Sequence, residues 1–276
     1  KMIISIDLDG TLLNSNKEVP KSTVEYLKNL SKRGEIIVLN SGRTINSILN
    51  VTKSASFANF IIGDTGAVIY EVKDKIILKT RGIDLYVGKE IFNLAKDQCK
   101  EFSVFTYGEI FYKYYNSKEI KEKNGIEISD FNCIINNNTD ITHISFVPKN
   151  QSRVDDLAEK LQSKFKQLNI FSMIDSFGTE KWIEIINKEA GKFNSVLCLA
   201  NMLGINQNNI ISFGDAINDL EMIKNSGIGV AMKNAVPKLK ENAKYITEFD
   251  NNNLGVEKWL RKYYNEWFLK RRILNV

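Results

Sequence analysis

Ile3-Ile4-Ser5-Ile6-Asp7-Leu8-Asp9-Gly10-Thr11-Leu12-Leu13 is a β-branched apolar run that drives into two carboxylates one residue apart. Periodicity leaves such a run ambiguous between a buried strand and a buried helix. Its short length and Gly10 decide for a strand of a parallel sheet, covered on both faces. Residues two apart on a strand point to one side, so Asp7 and Asp9 can face one ligand at the carboxyl end of the sheet, where α/β proteins bind theirs. Two carboxylates that close repel unless one keeps a proton or a cation sits between them, and a hard divalent ion such as Mg2+ suits oxygen ligands. The plain alternative is an Asp-Gly turn with both acids in water, and these five residues alone do not exclude it.

Outward from this stretch, residues 20–33 carry Val24, Leu27 and Leu30 at three-residue spacing ahead of Gly34, which predicts a helix. A second buried strand, residues 35–39, runs into Asn40-Ser41-Gly42-Arg43-Thr44 and a helical stretch over 45–51. A hydroxyl, a glycine and free amides at a helix start can hold an anion, although a simple loop with an N-cap has the same letters. Residues 60–63 read as a third strand, and 66–70 with 75–79 as a hairpin. From Gly82 the texture changes: helical patterns at 85–100 and 154–165 mix with strand-like runs at 102–106, 141–147, 168–174 and 182–186. The βα texture returns with a helix over 191–203, and then Ile210-Ile211-Ser212-Phe213-Gly214-Asp215-Ala216-Ile217-Asn218-Asp219, a second buried strand running into acids. Further elements are expected at 228–232, 236–243 and 254–270. The predicted architecture is α/β: a Rossmann-like parallel-sheet core from 1–81 and 187–276, with an α+β domain, 82–186, inserted into it.

The 276 residues, 43% hydrophobic and 26% charged, suffice for two domains. No segment reaches the roughly 18 consecutive apolar residues of a membrane helix, so a cytoplasmic protein without membrane contact is expected. The net charge of +5 comes from lysines scattered along the chain, which reads as solvated surface and not as a nucleic-acid stripe. Self-association is expected to go no further than a weak homo-oligomer. Cys99, Cys133 and Cys198 are distant and in apolar surroundings, as reduced core thiols would be. His143, the single histidine, excludes a histidine metal cluster and sits in a strand-like alternation. Near the end, Val256, Leu260, Tyr263 and Trp267 share one helical face, which predicts a docked terminal helix.

Asp7-Leu8-Asp9-Gly10-Thr11, Ser41-Gly42-Arg43, Lys192 and Gly214-Asp215-Ala216-Ile217-Asn218-Asp219 occur in the order seen in haloacid dehalogenase-like hydrolases, which this chain resembles. Gly229-Val230-Ala231-Met232-Lys233-Asn234-Ala235 and Gly255-Val256 are similar to the Cof-type subfamily of sugar-phosphate phosphatases. The resemblance implies an α/β cap between the second and third motifs and Mg2+-dependent hydrolysis of small phosphorylated metabolites. It implies Asp7 as nucleophile, and Asp9 as general acid and then base, with its pKa above that of metal-bound Asp7. Mg2+ would be held by Asp7, the carbonyl of Asp9 and Asp215, with Asp219 orienting a metal-bound water. Ser41, Gly42, Lys192, Asn218, Thr11 and the Leu8 amide would bind phosphoryl oxygens, while Arg43 and the cap, with Trp182 and Glu184 as candidates, would choose the substrate. Lys192 lies at a helix start, where a cation opposes the dipole, which favours a functional role. Three positions depart from the pattern: Ser41 for Thr, Ala216 for Gly, and Thr65-Gly66-Ala67 for Asn-Gly-Ala. A phosphohexomutase on the same fold, or a phospho-accepting or binding protein without turnover, are the rival readings.

Overall fold

The apolar runs become the centre of a sheet. In the computed structural model, which describes residues 1–106, 111–115, 126–136, 140–174 and 178–274, Ile3–Ile6 forms β1 and is buried at every position. Lys21–Lys32 (α1) buries Thr23, Leu27 and Leu30 and returns the chain to Ile36–Asn40 (β2), while Ile45–Val51 (α2) leads to Phe60–Gly63 (β3). β1, β2 and β3 pair in parallel, and Val68–Glu71 (β4) folds back antiparallel on β3 before Ile76–Thr80 (β5) at the edge.

The chain divides into two units: Lys1–Leu78 with Lys192–Val276, and Lys79–Gly191. The second unit contains Leu85–Ala95 (α3), Cys99–Thr106 (β6), Phe111–Tyr115 (β7), Ile126–Glu127 (β8), Asn132–Asn136 (α4), Ile141–Pro148 (β9), Val154–Lys164 (α5), Leu168–Ile174 (β10) and Lys181–Asn187 (β11). Its sheet runs β10-β11-β9-β6-β7-β8 and is antiparallel except between β7 and β8. Ile91 and Phe92 of α3 and Val154 and Leu161 of α5 pack with Phe102, Phe146 and Ile183 of this sheet in one apolar core. The helix predicted to reach residue 100 ends at Ala95, because Cys99 is drawn into β6 opposite Pro148. Ile83 pairs with Ile141 and Asn187 Nδ2 donates to the Gly82 carbonyl, which joins the entering and leaving segments within this unit.

The first unit resumes with Lys192–Met202 (α6), Ile210–Gly214 (β12), Leu220–Asn225 (α7), Ile228–Ala231 (β13), Pro237–Asn242 (α8), Tyr245–Ile246 (β14) and Gly255–Leu274 (α9). Its sheet order, β14-β13-β12-β1-β2-β3-β4-β5, puts β1 between β12 and β2. This is the expected Rossmann-like core interrupted by an α+β insertion. α9 is docked: Val256, Leu260 and Tyr264 are buried, and Trp259 meets Phe213 edge-on at 5.3 Å. Tyr264 takes the buried place expected for Tyr263, which stacks on Trp259. The side chain of Trp267 lies outside the described residues. Glu257 is also buried and accepts from Ser22 and Thr23 of α1, each at 2.9 Å.

Two smaller expectations divide. His143 is a buried strand residue of β9, stacked on Phe105 with ring centres 3.9 Å apart. The three cysteines are free thiols, but only Cys99 is a core residue; Cys133 is exposed because α4 turns Ile134 inward and leaves its neighbour in water. Among the described residues no helix is long and apolar enough to cross a membrane.

Candidate active site

β1 and β12 pair in register, Ile6 opposite Phe213, so the residues just beyond their carboxyl ends meet. The Asp7 amide donates to the Phe213 carbonyl at 3.1 Å. The chain then winds into one tight turn in which the amides of Thr11, Leu12 and Leu13 all reach the Leu8 carbonyl. Gly10 makes the turn, with φ +76°, and a Cβ there would stand 2.2 Å from Asp215 Oδ2. No other residue fits without moving that carboxylate. Thr11 Oγ1 donates to Asp215 Oδ1 at 3.0 Å. Gly214 serves Asp219 in the same way, since a Cβ there would lie 2.5 Å from the Asp219 Cβ. As a result, carboxylate oxygens of Asp7, Asp215 and Asp219 lie within 4.8 Å of one another.

Lys192, the first residue of α6, is buried against two of these acids: Nζ donates to Asp7 Oδ1 at 2.7 Å and to Asp219 Oδ1 at 2.5 Å. Asp219 is fully buried and also accepts from the amides of Asp215 and Ala216, both at 3.1 Å. Asn40, at the end of β2, donates from Nδ2 to the Lys192 carbonyl at 3.0 Å and fixes the start of α6. Three carboxylates thus face one ammonium. Burial, with Asp219 and Asp215 adding to it, holds the Asp7 carboxyl well above the usual range against the pull of Lys192. Burial and Asp219 push Asp215 up to about 6. Burial opposes the charge on Lys192, but Asp219 and Asp7 outweigh it and raise its pKa. A buried all-oxygen set with surplus negative charge fits a hard divalent cation.

Asp9 keeps different company. Arg43 donates to it from Nε (2.6 Å) and Nη2 (2.8 Å), and Lys17 from Nζ (2.7 Å). Burial raises its pKa, but the hydrogen bonds from Arg43 and Lys17 outweigh that and hold it at about 2. The expected order, Asp9 above metal-bound Asp7, belongs to the site with its ion; among the protein's own groups Asp7 is raised and Asp9 lowered. The cause is that Asp9 has two cations beside it, whereas Asp7 shares one with Asp219.

The Ser41-Gly42-Arg43 loop leaves β2 beside these groups. Ser41 is buried and its Oγ accepts from the Arg43 amide at 3.2 Å. Asp64 and Thr65, both left-handed at φ 50° and 54°, bracket the loop, their amides donating to the Arg43 carbonyl (2.9 Å) and the Ser41 carbonyl (3.3 Å). Asn218 is exposed, Leu8 is buried, and Trp182 Nε1 donates to Glu184 Oε1 at 2.8 Å within the second unit. Two contributors escaped the sequence reading. Asn40 had a faint signal, as a polar residue ending an apolar run, whereas Lys17 is one lysine among many.

The chain matches the model of haloacid dehalogenase-like hydrolases over residues 4–260. It belongs to that family. A Mycoplasma genitalium protein provisionally named a phosphatase is 29% identical over 276 residues, covering 94% of this chain and 97% of its own. A Bacillus subtilis relative named 5-amino-6-(5-phospho-D-ribitylamino)uracil phosphatase is 24% identical over 268 residues, with 95% of each chain covered. Among solved structures, a haloacid dehalogenase-like hydrolase from Bacteroides thetaiotaomicron superposes with a TM-score of 0.76 at 26% identity, over 95% of this chain and 99% of that one. The structure places Asp7, Ser41 and Asp215 just beyond the carboxyl ends of β1, β2 and β12, and Lys192 at the start of α6.

Proposed function

We propose that this hydrolase is a Mg2+-dependent phosphatase of small phosphorylated metabolites, sugar phosphates among them, that works through a phosphorylated Asp7. The observation that carries the reading is the convergence of Asp7 with Asp215, Asp219 and Lys192 at the carboxyl ends of adjacent strands. The relatives that bear phosphatase names support it.

Asp7, Asp215 and the Asp9 carbonyl would hold Mg2+, with Asp219 beside them as the residue that would orient a water on it. When bound, the ion neutralises charge on the phosphoryl oxygens. An Asp7 carboxylate oxygen attacks phosphorus and the bond to the leaving alcohol breaks. Asp9 protonates the departing oxygen, which requires it to carry a proton and to give up its bonds to Arg43 and Lys17. Water then attacks the same phosphorus, Asp9 takes its proton, and phosphate leaves with Asp7 restored. Lys192, Ser41 and the Gly42 amide supply fixed donors to the phosphoryl oxygens in place of water, joined by the Leu8 amide, Thr11 and Asn218. Lys192 also holds Asp7 in place through the 2.7 Å contact.

The test is phosphate release from a panel of sugar phosphates, pyridoxal phosphate, flavin mononucleotide and p-nitrophenyl phosphate, with Mg2+ or with EDTA. Release that needs Mg2+ and disappears in Asp7→Asn is the expected result. A folded protein that releases no phosphate from any ester, or that converts one phosphosugar into an isomer, contradicts the reading.

A further inference from the structure

Asp9 is set against two cations. Arg43 alone satisfies a carboxylate, engaging both oxygens at 2.6 and 2.8 Å. The Lys17 ammonium at 2.7 Å is a second positive charge beyond that pair. Lys17, whose side chain is 60% exposed, belongs to a tight turn. It has φ +59°, a left-handed conformation that a residue with a Cβ disfavours. The turn enforcing it is closed on itself: the Asn14 amide donates to Glu18 O, the Lys17 amide to Asn14 O, and Asn14 Oδ1 accepts from the Asn16 and Glu18 amides. Asn252 Oδ1 pins the turn through the Ser15 amide at 2.8 Å. Strain that the surroundings over-determine, next to a reacting group, points to a use.

The two corners of the site are opposite in sign. Asp7, Asp215 and Asp219 outnumber Lys192, and that corner suits a cation. Arg43 and Lys17 outnumber Asp9, and that corner suits an anion. We infer that Arg43 and Lys17 form a subsite for a second anionic group, a carboxylate or a further phosphate, on the part of the substrate that leaves. The inference rests on the phosphatase reading and narrows it to phosphorylated acids and bisphosphates. When Asp9 turns to the leaving oxygen, its two partners lose their acceptor. A second anion carried close to that oxygen takes those donors and restores neutrality, whereas a phosphosugar with an uncharged sugar offers only hydroxyls there.

The experiment compares 3-phosphoglycerate with glycerol 3-phosphate, which differ by a carboxylate in place of a hydroxymethyl group, in wild type, Lys17→Met and Lys17→Arg. Wild type is expected to favour 3-phosphoglycerate about tenfold in kcat/KM, through KM. Lys17→Met collapses that ratio toward one and Lys17→Arg restores it. Equal use of the two compounds by wild type, or a preference that survives in Lys17→Met, overturns the proposal. Calorimetric affinities of the same pair for the Asp7→Asn protein with Mg2+, with and without Lys17→Met, read the subsite without turnover. The same ratio is expected there, and equal affinities overturn the subsite. Absence of phosphate release from every ester, p-nitrophenyl phosphate included, tells against the phosphatase reading alone, and the calorimetric ratio then decides the subsite by itself.

Discussion

Lys192 is the residue on which the local balance turns. Its side chain is 2% exposed and Asp219 is wholly enclosed, so neither charge has water to fall back on. Lys192→Met leaves a buried carboxylate without its cation and is expected to destabilise the fold by about 3–5 kcal/mol, read by denaturant unfolding. The same variant should lower kcat by at least a hundredfold, since it removes a donor from the reacting group. A Tm and kcat close to wild type would show that Lys192 is dispensable. At this scale residue type and spacing set Asp7 and Asp215 after apolar strands, whereas Lys192 was singled out through the family resemblance and its place at a helix start. The reading of the sequence had no access to Asn40 or Lys17. Their roles depend on which carbonyl or carboxylate lies opposite, and that is set by elements far apart in the chain. The cations that lower Asp9 were hidden for the same reason: a pKa follows the neighbours, and the neighbours of Asp9 come from a turn and from the next strand's loop.

At the scale of elements, the strands that carry the site could be read because they are short, β-branched and followed by glycine or acids, as in β1 and β12. Helix ends were harder. The apolar pattern of α3 continues past Ala95 to Cys99, but pairing of β6 with β9 claims that cysteine, and tertiary pairing overrides local periodicity. The face of α9 was placed one residue off at Tyr263 because the buried Glu257 could not be anticipated among apolar positions. Glu257 ties α9 to α1 through Ser22 and Thr23, and these bonds with Arg261 outweigh burial and lower its pKa. Glu257→Leu is expected to cost about 1–3 kcal/mol in thermal unfolding, because the buried Thr23 hydroxyl and the more exposed Ser22 lose their acceptor. An unchanged Tm would mean that α9 docks through its aromatic residues alone. Gly10→Ala is expected to fold less stably and to lose Mg2+ affinity, measured by calorimetry, since its methyl group would collide with Asp215 at a left-handed position. Wild-type metal affinity in that variant would contradict the tight packing of the turn.

For the whole molecule, the charge surplus at the three carboxylates links stability to pH and to metal. The folded pKa of Asp215, about 6, lies above its ordinary value of 3.8, and that of Asp7 is raised as well. Groups raised in this way favour folding at low pH, and their contribution is lost as pH rises through the folded value. The Tm in EDTA is therefore expected to fall as pH rises from 3.8 through about 6, and the gain in Tm on adding Mg2+ should grow over the same interval. Asp9 acts in the opposite sense, but its folded value of about 2 places that effect in acid, outside this window. A Mg2+ effect independent of pH would contradict the proposed ligand set. The division into units, Lys1–Leu78 with Lys192–Val276 and Lys79–Gly191, puts every proposed catalytic and metal-binding residue in the first. The texture of the sequence marked the insertion because mixed helices and strands interrupt a regular βα pattern. A binding role for the inserted unit was not legible, since the side chains of an antiparallel sheet face serve packing and recognition with the same residue types.

The most direct measurement is to quench the wild-type protein with Mg2+ during turnover of p-nitrophenyl phosphate, reduce with borohydride and map the peptides by mass spectrometry. The account predicts conversion of Asp7, and of no other carboxylate, to homoserine, the product of reducing an aspartyl phosphate. Phosphate released in full bursts with Asp7 unmodified, or modification of Asp9 or Asp215 in its place, would contradict the assignment of Asp7 as the nucleophile.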